Sequence, residues 1–303
     1  MRILPTSRAL LLVAAATFAG CEVNLNSEGI VSHEVKTFKV KGTPELQIET
    51  FDGAIEVHSW DRNEVEVDIE KRAMEQSLVD EMKVTAEQQG DRIVVRVTGP
   101  TRRDFDGIQV GVNFSPTARL RVALPRTTQL TAKSGDGSIS VEDLSGKIAL
   151  TTTDGSVRAT RVSGEITVRS GDGSIRMDRI EGAIDLETDD GSITLEAKPA
   201  MLRVRTSDGT IRVDVEPDSV MSADWDIQTS DGSVTVSLPS SFNGEIDAET
   251  RDGAVRANHS ALTNETREGE DRSERRRMLK ATLGSGGRIV KVRSGDGSIR
   301  IED

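Results

Sequence analysis

The chain has 303 residues, 35% of them apolar, 3% aromatic and 30% charged, with a formal charge of −12. So low an apolar share excludes a polytopic membrane protein, and so few aromatic rings speak against a large aromatic core. The negative balance disfavours nucleic acid, whose nonspecific binding needs Lys and Arg to neutralise phosphates.

In chain order, Arg2 and Arg8 come first, with an apolar run from Ala9 to Ala19 that is too short to span a bilayer. A positive start, a short apolar core and small residues before a break are the pattern of a secretory signal peptide over residues 1–20. The break, Phe18-Ala19-Gly20-Cys21, holds the only cysteine. It resembles the lipobox of bacterial lipoproteins, in which the cysteine becomes the lipidated first residue of the mature protein. Phe18 departs from the aliphatic residue usual there, and the alternative is an ordinary signal peptide with a chance cysteine. The resemblance implies an extracytoplasmic protein, lipid-anchored at Cys21 to the cell membrane or outer membrane, with residues 21–32 as tether. Losing Arg2 and Arg8 makes the mature chain still more acidic, so attachment rests on acyl chains rather than on a polybasic contact. An acylated Cys21 leaves no disulfide, so packing and hydrogen bonds must hold the fold.

From 33 to 129 apolar residues alternate without a strict period. Leu46-Gln47-Ile48, Ile55-Glu56-Val57, Val65–Ile69, Ile93–Val97 and Leu120-Arg121-Val122 predict strands. This stretch reads as an irregular N-terminal β cap or as a degenerate start of the repeat that follows. Phe51-Asp52-Gly53-Ala54-Ile55 already resembles one repeat unit. Residues 71–82 read as a short helix or a polar excursion, and Thr101–Asp106 as a loop.

From 130 onward the chain repeats. Asp136, Asp154, Asp172, Asp190 and Asp208 are each followed by Gly, at steps of 18 residues; the pair returns at Asp231, Asp252 and Asp296. Inside each step small residues fall every nine, and each is followed two and four positions on by an apolar pair, as in Ile139/Val141, Ile148/Leu150 and Val157/Ala159. Two architectures compete. Antiparallel hairpins suit Asp-Gly, whose glycine accepts the positive φ of a tight corner. A meander, however, has no need for alternate corners to differ, whereas a coil of two strands with two distinct corners does. The prediction is an all-β parallel β-solenoid (β-helix), two strands per 18-residue coil, with coils stacked about 4.8 Å apart.

In that arrangement Ile139, Val157, Ile175, Ile193 and Ile211 line one inner face, with Ile148, Ile166, Ile184 and Leu202 opposite. Thr152, Ser170, Thr188 and Thr206 form inward hydroxyl ladders, and Leu144, Val162 and Ile180 plug the second corner. A charged, nearly apolar-free stretch from Asn258 to about Arg277 is an insertion, loop or exposed helix, within a polar interruption near 258–287. The pattern resumes at Arg288 and runs to the end.

Ser134-Gly135-Asp136-Gly137-Ser138-Ile139, its repeats at Ser170 and Ser294, and Leu120–Arg126 leading into them are similar to the bacterial putative-adhesin family of β-strand-repeat, domain-of-unknown-function envelope proteins. The resemblance covers about 33–303. It implies a stacked β-helical envelope protein, often lipid-anchored, and brings no catalytic residues with it.

The Asp-Gly ladder is the sharpest chemical feature. Neighbouring carboxylates about 4.8 Å apart repel by about 0.9 kcal/mol in bulk-water dielectric. Calcium would relieve this, but nonapeptide calcium rolls carry Asp in every nine residues, and here alternate corners read Ser-Gly-Lys, Ser-Gly-Glu and Glu-Gly-Ala. The ladder therefore reads as structural turns, with Arg158, Arg176, Arg212, Arg256 and Arg300, four residues after their Asp, offsetting the repulsion. Arg158, Arg176 and Arg212 also form the candidate binding face. His33, His58 and His259 lack partner spacing, and one lipidated cysteine allows no Cys/His metal set. No catalytic residue, metal or cofactor is expected. Trp60 and Trp225 read as packing. The expected function is a non-enzymatic, adhesin-like envelope lipoprotein that binds a protein or glycan; the alternative is a β-helix protein that binds or cleaves polysaccharide.

Overall fold

The computed structural model describes residues 23–26, 29–100, 115–266 and 277–303. The expected signal peptide, Cys21 and the loop at Thr101–Asp106 lie outside the described residues. Within them the chain is all-β: 23 strands join one hydrogen-bonded network, beside one six-residue helix, Gln76–Glu81. That helix falls inside the 71–82 window and buries Val79 against Ala73 and Met82. No described helix is long and apolar enough to cross a membrane.

The pairing is mostly parallel and follows the repeat. After each Asp-Gly corner, Ile139 lies against Val157, Val157 against Ile175, Ile175 against Ile193, and Ile193 against Ile211. Before each corner, Leu130 pairs with Ile148, Ile148 with Ile166, Ile166 with Ile184, and Ile184 with Leu202. These two series are called wall A and wall B. Period-two alternation turns every Ile and Val of both walls inward, where all of those named are at most 1% exposed. Each contributes about 1.5–3 kcal/mol of burial before chain entropy is set against it.

The two corners differ in a way that composition alone did not show. At the second corner Gly146, Gly164 and Gly182 have φ of 142°, 120° and 120°, and Asp143, Arg161 and Arg179 have φ of 58°, 55° and 55°. Leu144, Val162 and Ile180 fill the space behind it. Pairing runs straight through this bend, so Val157–Ser170 and Ile175–Thr188 are each one 14-residue strand. The Asp-Gly corner breaks the strands, yet Gly155, Gly173 and Gly191 are not among the glycines with positive φ. They are required for another reason: a Cβ on Gly173 would stand 2.0 Å from the Gly155 carbonyl oxygen, and one on Gly155 2.1 Å from that of Gly137.

Both ends of the stack depart from chain order. Glu45–Thr50 lies between Arg92–Thr98 and Gln129–Ser134, and Ile55–Trp60 between Thr117–Pro125 and Ile139–Glu142. At the other end Ile289–Asp296 lies between Trp225–Asp231 and Gly244–Asp252, and Ile299–Glu302 between Val234–Ser237 and Val255–Asn258. Outside these, Glu64–Ala73, Gly29–Lys39 and Lys83–Gln89 add antiparallel strands at the N-terminal end. Met278–Leu283 and Leu262–Thr266 do so at the far end. Residues 262–266, expected in a loop or exposed helix, are thus an edge strand. Leu262 packs against the core, the Thr263 hydroxyl donates to the Thr282 carbonyl (3.0 Å), and a polar sequence at such an edge discourages further strand addition.

Candidate functional site

Asp136, Asp154, Asp172, Asp190 and Asp208 stand exposed along one edge of the stack. Asp231, Asp296 and Asp252 continue the row in that spatial order, and Asp52 adjoins Asp136 at the near end. Hydroxyls fasten the edge from inside. Thr188 donates to the carbonyls of Gly171 (2.8 Å) and Gly173 (3.0 Å), and Thr152 to those of Gly135 (2.8 Å) and Gly137 (3.0 Å). Ser170 donates to Gly155 (3.0 Å), Thr206 to Gly191 (3.0 Å), and the amide of Gly173 donates back to Ser170 (3.2 Å). Each corner is thereby tied to the one beneath it, and buried carbonyls that strand pairing leaves free are satisfied.

Burial, then the charge of Asp136, holds the Asp52 carboxyl above its ordinary range. Burial, then Asp231 and Asp190, does the same to Asp208. Among the described residues no three His, Cys, Asp or Glu side chains converge as a metal ion would need.

The arginines do not meet these aspartates. Arg158, Arg176 and Arg212 are exposed on the outer side of wall A, and none joins an ion pair among the described residues. Each arginine sits on the wall A strand beyond the corner that carries its Asp. What the strands build is a set of columns. Arg158 pairs in register with Arg176, Arg176 with Thr194, Thr194 with Arg212, and Arg300 with Arg256. Two residues earlier runs a column of exposed hydroxyls at Ser138, Ser156, Ser174 and Ser192. Two residues later runs an acidic column at Asp178, Glu196 and Asp214. Burial, a hydrogen bond to Asp178, and the charges of Asp178, Glu216 and Asp214 push the Glu196 carboxyl up.

Wall B is different. Several of its outward charges neutralise one another between coils: Arg169 reaches Asp185 (2.9 Å) and Glu187 (3.1 Å), Arg205 reaches Asp226 (2.6 Å), and Arg293 reaches Asp247 (2.8 Å). Two open depressions lie on this wall, one over Gln47, Glu49 and Arg96, the other over Glu245, Asp247 and Thr282, and neither contains an aromatic ring.

Trp225 is fully buried against Phe242, ring centroids 5.6 Å apart. Trp60 is half-buried, donates to the Glu64 carbonyl (2.8 Å), and lies under the Arg62 guanidinium at 4.6 Å. His33 sits 3.7 Å from Asp68, and His58 is exposed. His259, which lacks partner spacing in the sequence, is buried. Its Nδ1 accepts from the Ala261 amide (3.1 Å) and its Nε2 faces the Leu238 carbonyl (3.0 Å). Asp303, 3.3 Å from Nε2, accepts from the Ser260 amide (3.0 Å) and hydroxyl (2.9 Å), which holds its carboxyl below the ordinary range. A hydrolytic triad needs the serine on the imidazole. Here it is on the carboxylate, and the backbone occupies both ring nitrogens, so the cluster fastens chain segments.

Residues 37–302, nearly the whole described stack, match the family model described as Toastrack DUF4097. The chain belongs to the Toastrack DUF4097 family. No curated protein matches the chain. Among solved structures, a putative adhesin from Bacteroides fragilis is similar at 10% identity over 89% of this chain and 96% of that one, with a TM-score of 0.36. A putative cell adhesion protein from Clostridium sporogenes is similar at 14% identity over 90% and 99%, with a TM-score of 0.31. A putative lipid binding protein from Parabacteroides distasonis is similar at 13% identity over 89% and 96%, with a TM-score of 0.34. Within this Toastrack chain, Arg158, Arg176 and Arg212 on the outward side of wall A join no ion pair among the described residues.

Proposed function

We propose that this Toastrack protein is a non-enzymatic envelope lipoprotein, anchored through Cys21 outside the cytoplasm, that binds a protein or glycan of the envelope on wall A. In this reading residues 130–303 form a β-solenoid of two strands per 18-residue coil, interrupted near 258–287. Residues 33–129 cap it, and 21–32 lead from the lipid into it after the signal peptide of residues 1–20 is removed, with Val23–Asn26 and residues 29–32 already paired as strand. The observation that carries the binding face is the contrast between the walls. Arg169, Arg205 and Arg293 on wall B end on carboxylates, whereas Arg158, Arg176 and Arg212 stand on wall A without one among the described residues.

The alternative of a polysaccharide-cleaving protein draws less support. Its aromatic platform would have to come from Trp60 or Trp225, and the first is capped by Arg62 while the second lies in the core.

Affinity capture from solubilised envelope tests the reading, with the chain from Glu22 onward as bait and the Arg158→Glu/Arg176→Glu/Arg212→Glu variant as control. Binding on wall A predicts a component retained by the native bait and lost by the variant. Equal retention by both would move the site elsewhere, and retention by neither would contradict the binding role.

A further inference from the structure

Wall A limits what can lie on it. The arginine column is flanked by the acidic column two residues further along each strand, about 7 Å away. A polyanion seated on Arg176 and Arg212 would lie against Asp178, Glu196 and Asp214, and a polycation would meet the arginines. The face needs a partner with columns of both signs about 7 Å apart, repeating every coil. Among the described residues it carries no large exposed hydrophobic side chain, since those are Val35, Met74, Met201 and Val220. Charge must therefore select the partner.

The face is complementary to itself. We propose that wall A pairs with wall A of a second copy, about a two-fold axis parallel to the coil stack and midway between the arginine and acidic columns. This rests on the binding reading above and names its partner. Such a rotation exchanges the two columns and leaves every coil at its own height. Arg176 then faces the partner's Asp178, Arg212 faces the partner's Asp214, and the Thr194 hydroxyl faces the partner's Glu196. A two-fold axis along the strands would instead set arginine on arginine. The exchange also supplies a cation to Asp214, which has none among the described residues, a hydroxyl donor to Glu196, and carboxylates to Arg176 and Arg212.

The axis has a further consequence. Both stacks keep the same direction, so both N-terminal ends emerge on one side. Two copies tethered to a single membrane satisfy this, whereas copies on opposed membranes do not. Exposed ion pairs are individually weak and screened by salt. Confinement to one surface raises the effective concentration at which they act.

The test is sedimentation equilibrium of the whole chain in a nonionic detergent, at low and at high salt. The native chain is expected to dimerise reversibly and to weaken with salt. Arg176→Glu/Arg212→Glu and Asp178→Arg/Asp214→Arg are each expected to self-associate roughly tenfold or more weakly. A mixture of the two is expected to pair nearly as well as the native chain, which also shows that both variants are folded. A third chain with added arginines on wall B, Gln47→Arg/Thr131→Arg, must not pair with the first variant; if it does, the attraction is undirected and the proposal falls. A native chain that stays monomeric at low salt, or a dimer indifferent to both variants, overturns it as well. If the chain is monomeric while capture still retains a different component through Arg158, Arg176 and Arg212, self-pairing fails and the binding reading stands. If capture also fails, both do.

Discussion

Trp225 pairs in register with Val290 and not with Ile246, the residue at its position in the next coil along the chain; Val290 in turn pairs with Ile246. The coil of residues 289–302 therefore lies inside the stack, with a parallel neighbour on each side. Asp303 closes the arrangement by accepting from the amide and hydroxyl of Ser260. The same relationship places Arg300 between Thr235 and Arg256, so wall A's columns are assembled from segments far apart in sequence.

Close backbone approach at the Asp-Gly corner should make its glycines intolerant of a methyl group. Gly173→Ala would set a Cβ 2.0 Å from the Gly155 oxygen, and Gly297→Ala 2.1 Å from that of Gly232. Each is expected to cost about 2–3 kcal/mol or more in urea unfolding. Ser174→Ala, at an exposed neighbouring position, should stay within about 0.5 kcal/mol.

The hydroxyl ladder gives a second test. Thr188→Val keeps the shape of a 1%-exposed side chain and removes its donation to the Gly171 and Gly173 carbonyls. A loss of about 1–3 kcal/mol is expected. Thr188→Ser, which keeps the donor, should recover part of it.

Two carboxyls should respond to pH with opposite signs. Burial first, then Asp231 and Asp190, raises the Asp208 pKa. A raised carboxyl favours the folded state when protonated. That contribution is full below the unfolded pKa and is lost as pH rises through the folded one. Asp208→Asn should therefore raise Tm at neutral pH, with the gain fading on acidification. Asp143 is held low, chiefly by its hydrogen bond from Arg161 (2.6 and 2.7 Å). Its contribution is present above the unfolded pKa and lost as pH falls through the folded one. Asp143→Asn should lower Tm at neutral pH and converge with the native chain in acid. Asn tolerates the left-handed φ of 58° at this position, so backbone strain does not enter the comparison.

The period was legible because each coil repeats the same local demands. An inward Ile, a glycine without a Cβ and a hydroxyl for the corner recur together, as at Ile175, Gly173 and Ser170. The order of stacking was not legible. Asp252-Gly253 and Asp296-Gly297 carry the same local pattern, and nothing adjacent to either states which one rests on Asp231-Gly232. The link between the arginines and their aspartates was not legible, because each Asp stands at the corner edge and each Arg on the wall beyond it, which an interval of four does not state. His259 was missed because its burial depends on Leu238 and Asp303, both distant in the chain.

The stacking order that builds wall A is tested most directly by cysteine pairs in a Cys21→Ser background. Adjacent coils place register partners about 4.8 Å apart and alternate coils about 9.6 Å, whereas a disulfide needs Cα atoms within about 7 Å. Thr235→Cys with Arg300→Cys should bridge on mild oxidation of the folded chain, and Thr235→Cys with Arg256→Cys should not. Bridging of the second pair without the first would place the coils in chain order and contradict the arrangement of the face.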